Sequence, residues 1–165
     1  MDSCVEQLFE RKASLGERLA VAGSVLLIVA GLVIAMFVKA NPGLTLVIIG
    51  IVCVYFTKNA LHQELEYELA NGDCYISKII NKSDRKDLYS FYAGDVMRVL
   101  AYDSEKFTNE LQVNQKLVVK DMTSGHKENH DRWYAFMLAK DVAVILELDD
   151  RSLEHIKTVY KHKFE

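Results

Sequence analysis

The stretch Leu65-Glu66-Tyr67-Glu68-Leu69-Ala70-Asn71-Gly72-Asp73-Cys74-Tyr75-Ile76 decides the fold of this chain. Leu65, Tyr67 and Leu69 alternate with Glu64, Glu66 and Glu68, the period-two pattern of a half-buried strand. Asn71-Gly72 comes next, and both residues tolerate the positive φ that a type I′ hairpin turn requires. A two-residue loop sets Leu69 opposite Cys74 and Tyr67 opposite Ile76, so the apolar residues of both strands share one face. Leu65 then opposes Lys78, a mild misfit that marks the rim. A β-rich domain therefore begins near residue 62 and extends to residue 165.

Downstream, further strands are expected over 87–92, 96–102, 115–121, 133–138 and 142–148. Turn-like pieces separate them, including Gly94-Asp95, Thr123-Ser124-Gly125-His126 and Ala139-Lys140-Asp141. The polar piece 104–114 has room for one helical turn. Asp149 or Asp150 can cap a final helix over 150–163, with Leu153, Ile156, Val159 and Tyr160 as its apolar stripe. Lys157, Lys161 and Lys163 gather near its end, where the helix dipole favours cations. With seven strands and no run of crossover helices, the sheet is expected to be antiparallel and closed by the last helix.

Upstream the composition changes. No charged side chain occurs from Leu19 to Val38, nor from Gly43 to Thr57. At about 1.5 Å per residue the first run covers roughly 30 Å, the thickness of a bilayer core. A cleaved signal peptide would carry a shorter apolar stretch of about 7–15 residues and a cleavage site, whereas here a second apolar run begins at once. The reading is a transmembrane hairpin over 19–61, with spans 19–38 and 43–61 and a turn at 39–42 built on Asn41-Pro42-Gly43. Lys58 would snorkel to the headgroups. Residues 1–18 form an N-terminal segment in which Val5, Leu8, Phe9 and Leu15 fit the stripe of an interfacial helix, with a frayed terminus as the alternative.

Arg11, Lys12 and Arg18 precede the first span, the turn carries only Lys39, and Lys58, Lys78, Lys82, Arg85 and Lys86 follow the second. The positive-inside rule then places both termini in the cytosol of a multi-pass cell-membrane protein. Neither Leu19 to Val38 nor Gly43 to Thr57 holds an ionisable residue of the kind a proton or ion path needs, so the hairpin reads as an anchor. Gly31 and Ala35 form a small-xxx-small pair suited to helix–helix contact.

The net charge of −3 gives no footing for nucleic acid as a partner. Cys4, Cys53 and Cys74 match no zinc or disulfide spacing and fit a reducing compartment. His126 and His130, with Glu128 or Asp131 nearby, have metal-ligand spacing on a helix, but Gly125 and the polar run point to a mobile loop. His155 and His162 read as polar surface of the final helix. Trp133, Tyr134 and Phe136 read as core, with an exposed edge for β-augmentation as the alternative. No phosphate loop, nucleophile elbow or paired metal motif occurs, and no cofactor or catalytic residue is expected.

This order of elements resembles the pleckstrin-homology-like (PH-like) fold, a strongly bent seven-stranded sheet or barrel capped by a C-terminal helix. The sequence also resembles an uncharacterised family of small two-span membrane proteins from clostridial-type bacteria. The resembling pieces are Tyr67-Glu68-Leu69 with Asn71-Gly72, Ile76-Ser77-Lys78-Ile79-Ile80 running into Lys82, Arg85 and Lys86, and the closing Leu153, Ile156, Tyr160 helix. The resemblance implies an α+β chain with a two-helix transmembrane hairpin before an antiparallel PH-like domain. In PH-like domains that bind lipid headgroups an early basic hairpin makes the contact, which here would be Lys78, Lys82, Arg85 and Lys86; the alternative is an ordinary solvated turn, broken by Asp84 and Asp87. The function expected is a membrane-anchored, non-enzymatic interaction or scaffold module that binds a protein segment or the anionic membrane surface. The alternatives are an accessory subunit of a larger membrane complex, contacting partners through the hairpin, and a membrane-bound enzyme using 126–131.

Overall fold

The computed structural model describes residues 4–58, 61–80 and 82–165 and is α+β. It divides into two compact units. Residues 12–63 with 80–82 form one, and the remaining chain, including its first residues, forms the other.

The first unit is a pair of helices, α1 (Leu15–Phe37) and α2 (Ala40–Thr57). Ser14 starts α1 with a capping box: its hydroxyl accepts from Glu17 N at 3.2 Å, and the Glu17 carboxylate accepts from Ser14 N at 2.6 Å. The chain reverses at Val38 and Lys39. Asn41-Pro42-Gly43 is not the turn expected from its composition, because it lies inside the first turn of α2. Proline fits there, since the amide it lacks would have no intrahelical partner. Gly43 instead permits close approach: a Cβ at this position would overlap Ala35. A Cβ on Gly31 would stand 2.8 Å from Gly43 O and Val47 N, and one on Gly50 would stand 2.6 Å from Ile28 Cγ1. The buried residues of the pair are Ser24 and Gly31 on α1 and Gly43 and Gly50 on α2, so the seam is made of small side chains. Leu26, Val29, Met36, Ile48 and Phe56 point away from it. Ser24, Thr45 and Thr57 donate their hydroxyls to carbonyls four residues back, at 2.7, 3.0 and 2.8 Å. The second span was expected to reach 61. The helix stops at Thr57 with Lys58 as its cap, and residues 59–60 lie outside the described chain.

Among the described residues the second unit holds eight strands rather than seven. The additional one is β1 (Cys4–Arg11), in the segment expected to form an interfacial helix. Its true period is two: Val5 and Gln7 are buried, Phe9 packs edge-on against Tyr67 at 4.9 Å, and Leu8 is exposed. The helical stripe failed because it counted Leu8 as apolar face and left out Gln7. Next come β2 (Gln63–Ala70), β3 (Asp73–Ile80), β4 (Asp84–Phe91) and β5 (Val96–Ala101). After β5 the chain forms α3 (Glu105–Val113), β6 (Val118–Asp121), a short 3-10 helix (Lys127–Arg132), β7 (Trp133–Leu138), β8 (Val142–Glu147) and α4 (Asp150–Val159). One sheet runs β1-β2-β3-β4 and the other β5-β7-β8-β6.

The β2–β3 hairpin turns through Asn71 and Gly72, at φ +52° and +94°, as a type I′ turn demands. Leu65, Tyr67, Leu69, Cys74 and Ile76 are all buried, in a core shared with Phe91, Phe136, Leu146, Ile156 and Tyr160. The second sheet is covered on both faces, which is why β7 and β8 read as nearly continuous apolar runs. Its outer face packs on Phe107 of α3 together with Leu100, Trp133 and Met137. Anchored by Phe107 and capped by Ser104, α3 is a nine-residue helix rather than one turn. It carries the chain across so that β6 pairs parallel with β8, Val118 with Val142 through Asp121 with Ile145. The expectation of antiparallel pairing holds for β5 with β7 and β7 with β8 but not for this pair.

Asp149 caps α4, accepting from Ser152 N at 2.7 Å. The helix ends at Val159, before the expected 163, and residues 163–165 continue beside β5. There Val99 N donates to Lys163 O at 2.7 Å and Glu165 N to Val99 O at 3.0 Å. Tyr160 donates its hydroxyl to Gly72 O, tying α4 to the hairpin turn.

His155 does not lie at the polar surface. It is buried on α4, and its Nε2 has no hydrogen-bond partner. Burial lowers its pKa below the ordinary value of 6.5. A histidine held neutral in the folded chain binds its proton more readily once unfolded, so stability rises with pH across this range. The contribution is complete above about pH 6.5 and is lost as pH falls toward the lower folded value. Urea midpoints measured from pH 7.5 down to pH 5 should therefore fall for the native chain and fall less steeply for His155→Leu.

Candidate functional site

Glu147 ends β8 as a buried acid within an otherwise apolar strand. A carboxylate out of water needs a cation or several donors. Here it has neutral donors: Ser124 N at 3.1 Å, Ser124 Oγ at 2.5 Å and Asn129 Nδ2 at 2.7 Å. Its carbonyl accepts from Gln7 Nε2 at 2.9 Å, and Gln7 Oε1 accepts from Asp149 N at 3.1 Å. The Tyr67 hydroxyl, whose pKa burial raises, donates to Met122 O. Asp121 Oδ1 accepts from Thr123 N at 3.0 Å and from Thr123 Oγ1 at 2.8 Å.

This network pins the piece that composition had marked as mobile. Thr123 and Ser124 are buried, and the run after them is the 3-10 helix. His130 stacks on Trp133 at 4.2 Å and on Tyr102 at 5.4 Å between ring centroids, with Nδ1 3.9 Å from Asp103. No group of three or more metal-ligating side chains forms among the described residues. The local signal for the network was Asp121-Met122-Thr123-Ser124-Gly125, a sequence in which short polar side chains bond nearby amides. Nothing local marked Glu147 as their partner.

β7 lies between β5 and β8, so the Trp133, Tyr134, Phe136 strand offers no edge to a partner; Phe136 is core. Gly31 and Ala35 both lie on the face of α1 that meets α2, within this chain's own helix pair. The four cations expected at a membrane surface fall on β3, on β4 and between them. Lys78 is on β3, Lys82 follows residue 81, which is outside the described chain, and Arg85 and Lys86 are on β4. Arg85 Nη2 lies 3.1 Å from Glu66 Oε2 and 3.6 Å from Glu68 Oε2, while Lys82 and Lys86 are exposed.

Two sheets around one core, with a C-terminal helix packed into it, are the architecture of a PH-like domain. The chain belongs to the family described as Bacterial PH-like domain (DUF6106), which it matches over residues 1–165. No curated protein and no solved structure matched it.

The polar network gives a direct test. Glu147→Leu strands the Ser124 and Asn129 donors and should lower stability by about 2–4 kcal/mol, given about 1–3 kcal/mol for each buried group left unsatisfied. Glu147→Gln keeps an acceptor and should cost about 1 kcal/mol. Urea denaturation of both variants measures the difference.

Proposed function

We propose that this protein is a membrane-anchored, non-enzymatic interaction module whose PH-like domain takes up a segment of a partner protein. The observation that carries the anchor is the way α1 and α2 present their side chains. Both helices are long and apolar enough to span a bilayer, yet only 11 % of the most apolar window of either is buried by protein. The core helix of a water-soluble protein would be mostly covered. Here small residues face the partner helix and large aliphatic ones face outward, the arrangement suited to lipid.

Connectivity supports a topology. The helix pair is inserted between β1 and β2, which are neighbours in one sheet. Both ends of the insertion then belong on one side of the membrane, and Arg11, Lys12, Arg18 and Lys58 favour the cytosolic side. A protein segment is favoured over the lipid surface as the domain's target. Each surface cation near anionic lipid contributes about 1 kcal/mol at most. Of the four candidates, Arg85 is engaged by two glutamates.

Cys4 is exposed and reports one side of the membrane, whereas Cys74 is buried and silent on either side. In intact cells an impermeant maleimide should label Lys39→Cys, at the turn between the helices, and leave Cys4 unlabelled until lysis. Labelling of Cys4 without lysis would overturn the topology.

A further inference from the structure

A sheet's last strand leaves one row of backbone amides and carbonyls without a partner, and native folds cover or blunt such edges. β5 is the last strand of the second sheet. Its edge is covered by residues 163–165, which leave α4 through a turn closed by Lys163 N donating to Tyr160 O at 2.7 Å and then run parallel to β5. Val99 N donates to Lys163 O at 2.7 Å, and Glu165 N donates to Val99 O at 3.0 Å. Three residues thus act as an added strand that the chain itself supplies.

Each side chain of this strap has its own seat. Lys163 Nζ donates to Ala93 O at 3.2 Å and to Val96 O at 2.7 Å, so two backbone carbonyls at the start of β5 receive a cation. Phe164 packs against the main core, with the Tyr134 ring centroid at 5.5 Å and Lys157 Nζ 5.6 Å from its own centroid. Lys106 of α3 donates to Glu165 Oε2 at 2.6 Å. Arg98 is engaged elsewhere, by Glu110 at 2.5 Å, which leaves Lys106 to read the acid. The three seats therefore select a cation, an aromatic ring and an acid in succession along an extended backbone.

The strap is short for the strand it covers. Its ladder with β5 is one bridge, at Val99, whereas β5 is six residues long. Met97, two residues before Val99, sits at a bulge in the pairing with β7 and is 61 % exposed. The Lys106–Glu165 pair lies in contact with water and is weak there. Attachment to α4 keeps the strap at high local concentration. A longer segment that fills the same three seats and pairs further along β5 gains strand bonds that the strap lacks.

We infer that this edge of β5 is the domain's docking site for a partner segment, and that residues 163–165 close it in cis. The segment is extended, carries lysine, an aromatic residue and an acid in succession, and takes the strap's place parallel to β5. The inference rests on the interaction-module reading and names both the partner's chemistry and the element that controls access.

The test uses the full chain in nanodiscs and a blocked, fluorescent heptapeptide with lysine, phenylalanine and glutamate at its centre and threonine on either side. Phe164→Ala/Glu165→Ala weakens the strap, so this variant should bind the peptide at least tenfold more tightly than the native chain. Adding Lys106→Glu should weaken that binding severalfold, and a peptide with lysine in place of its glutamate should recover it. Replacing the peptide's phenylalanine with alanine should cost at least tenfold. A cooperative urea transition shows that each variant is folded. Equal affinity of the native and Phe164→Ala/Glu165→Ala chains would overturn the inference, as would binding that survives loss of the peptide's phenylalanine, or no binding to either chain at millimolar concentration. Flotation of the same proteins with vesicles reads the anchor separately, so loss of this site leaves the anchored-module reading standing.

Discussion

The pairing of β1 with β2 is the constraint on which the rest of the structure depends. The chain opens as a strand, leaves through the whole helix pair, and returns to the neighbouring position of the same sheet. Gln7 holds that first strand to the far end of the domain, since its side-chain amide bonds both the end of β8 and the first residue of the α4 cap. Val5 and Phe9 place the strand's apolar side chains against the core that Tyr67, Leu146 and Ile156 share.

The two units are stabilised by different physics. In the β domain the driving term is removal of apolar surface from water. In the helix pair the large apolar side chains stay outside, and association rests on close packing across Ser24, Gly31, Gly43 and Gly50. The same economy governs polar groups. Hydroxyls on the helices bond their own backbone, four residues back. In the domain, buried polar groups such as Glu147 draw their donors from distant segments.

What was legible in the sequence is what local pattern encodes. The β2–β3 hairpin was, because Asn71-Gly72 and the alternation around Tyr67 independently demand one register. The final helix was too, because Asp149 is a capping residue followed by an apolar stripe. β1 was not, because a polar residue sits at its buried centre and its partner strand lies beyond the helices. β6 was expected within 115–121, but its parallel pairing was not, because the helix that carries the chain across was read as a single turn. His155 looked like a surface residue because burial of a polar side chain depends on what packs over it, which composition does not record. The pairing of Arg85 with Glu66 and Glu68 was not legible, because sequence gives charge without pairing.

The central claim is that residues 4–11 are a strand of the PH-like domain. It is tested by comparing two soluble proteins in urea. One is residues 63–165 alone; the other is residues 4–11 joined to 63–165 by a short glycine–serine linker replacing the helices. The joined protein should unfold cooperatively at a clearly higher urea midpoint, and Gln7→Ala should remove part of that gain. Equal midpoints for the two proteins would contradict the account.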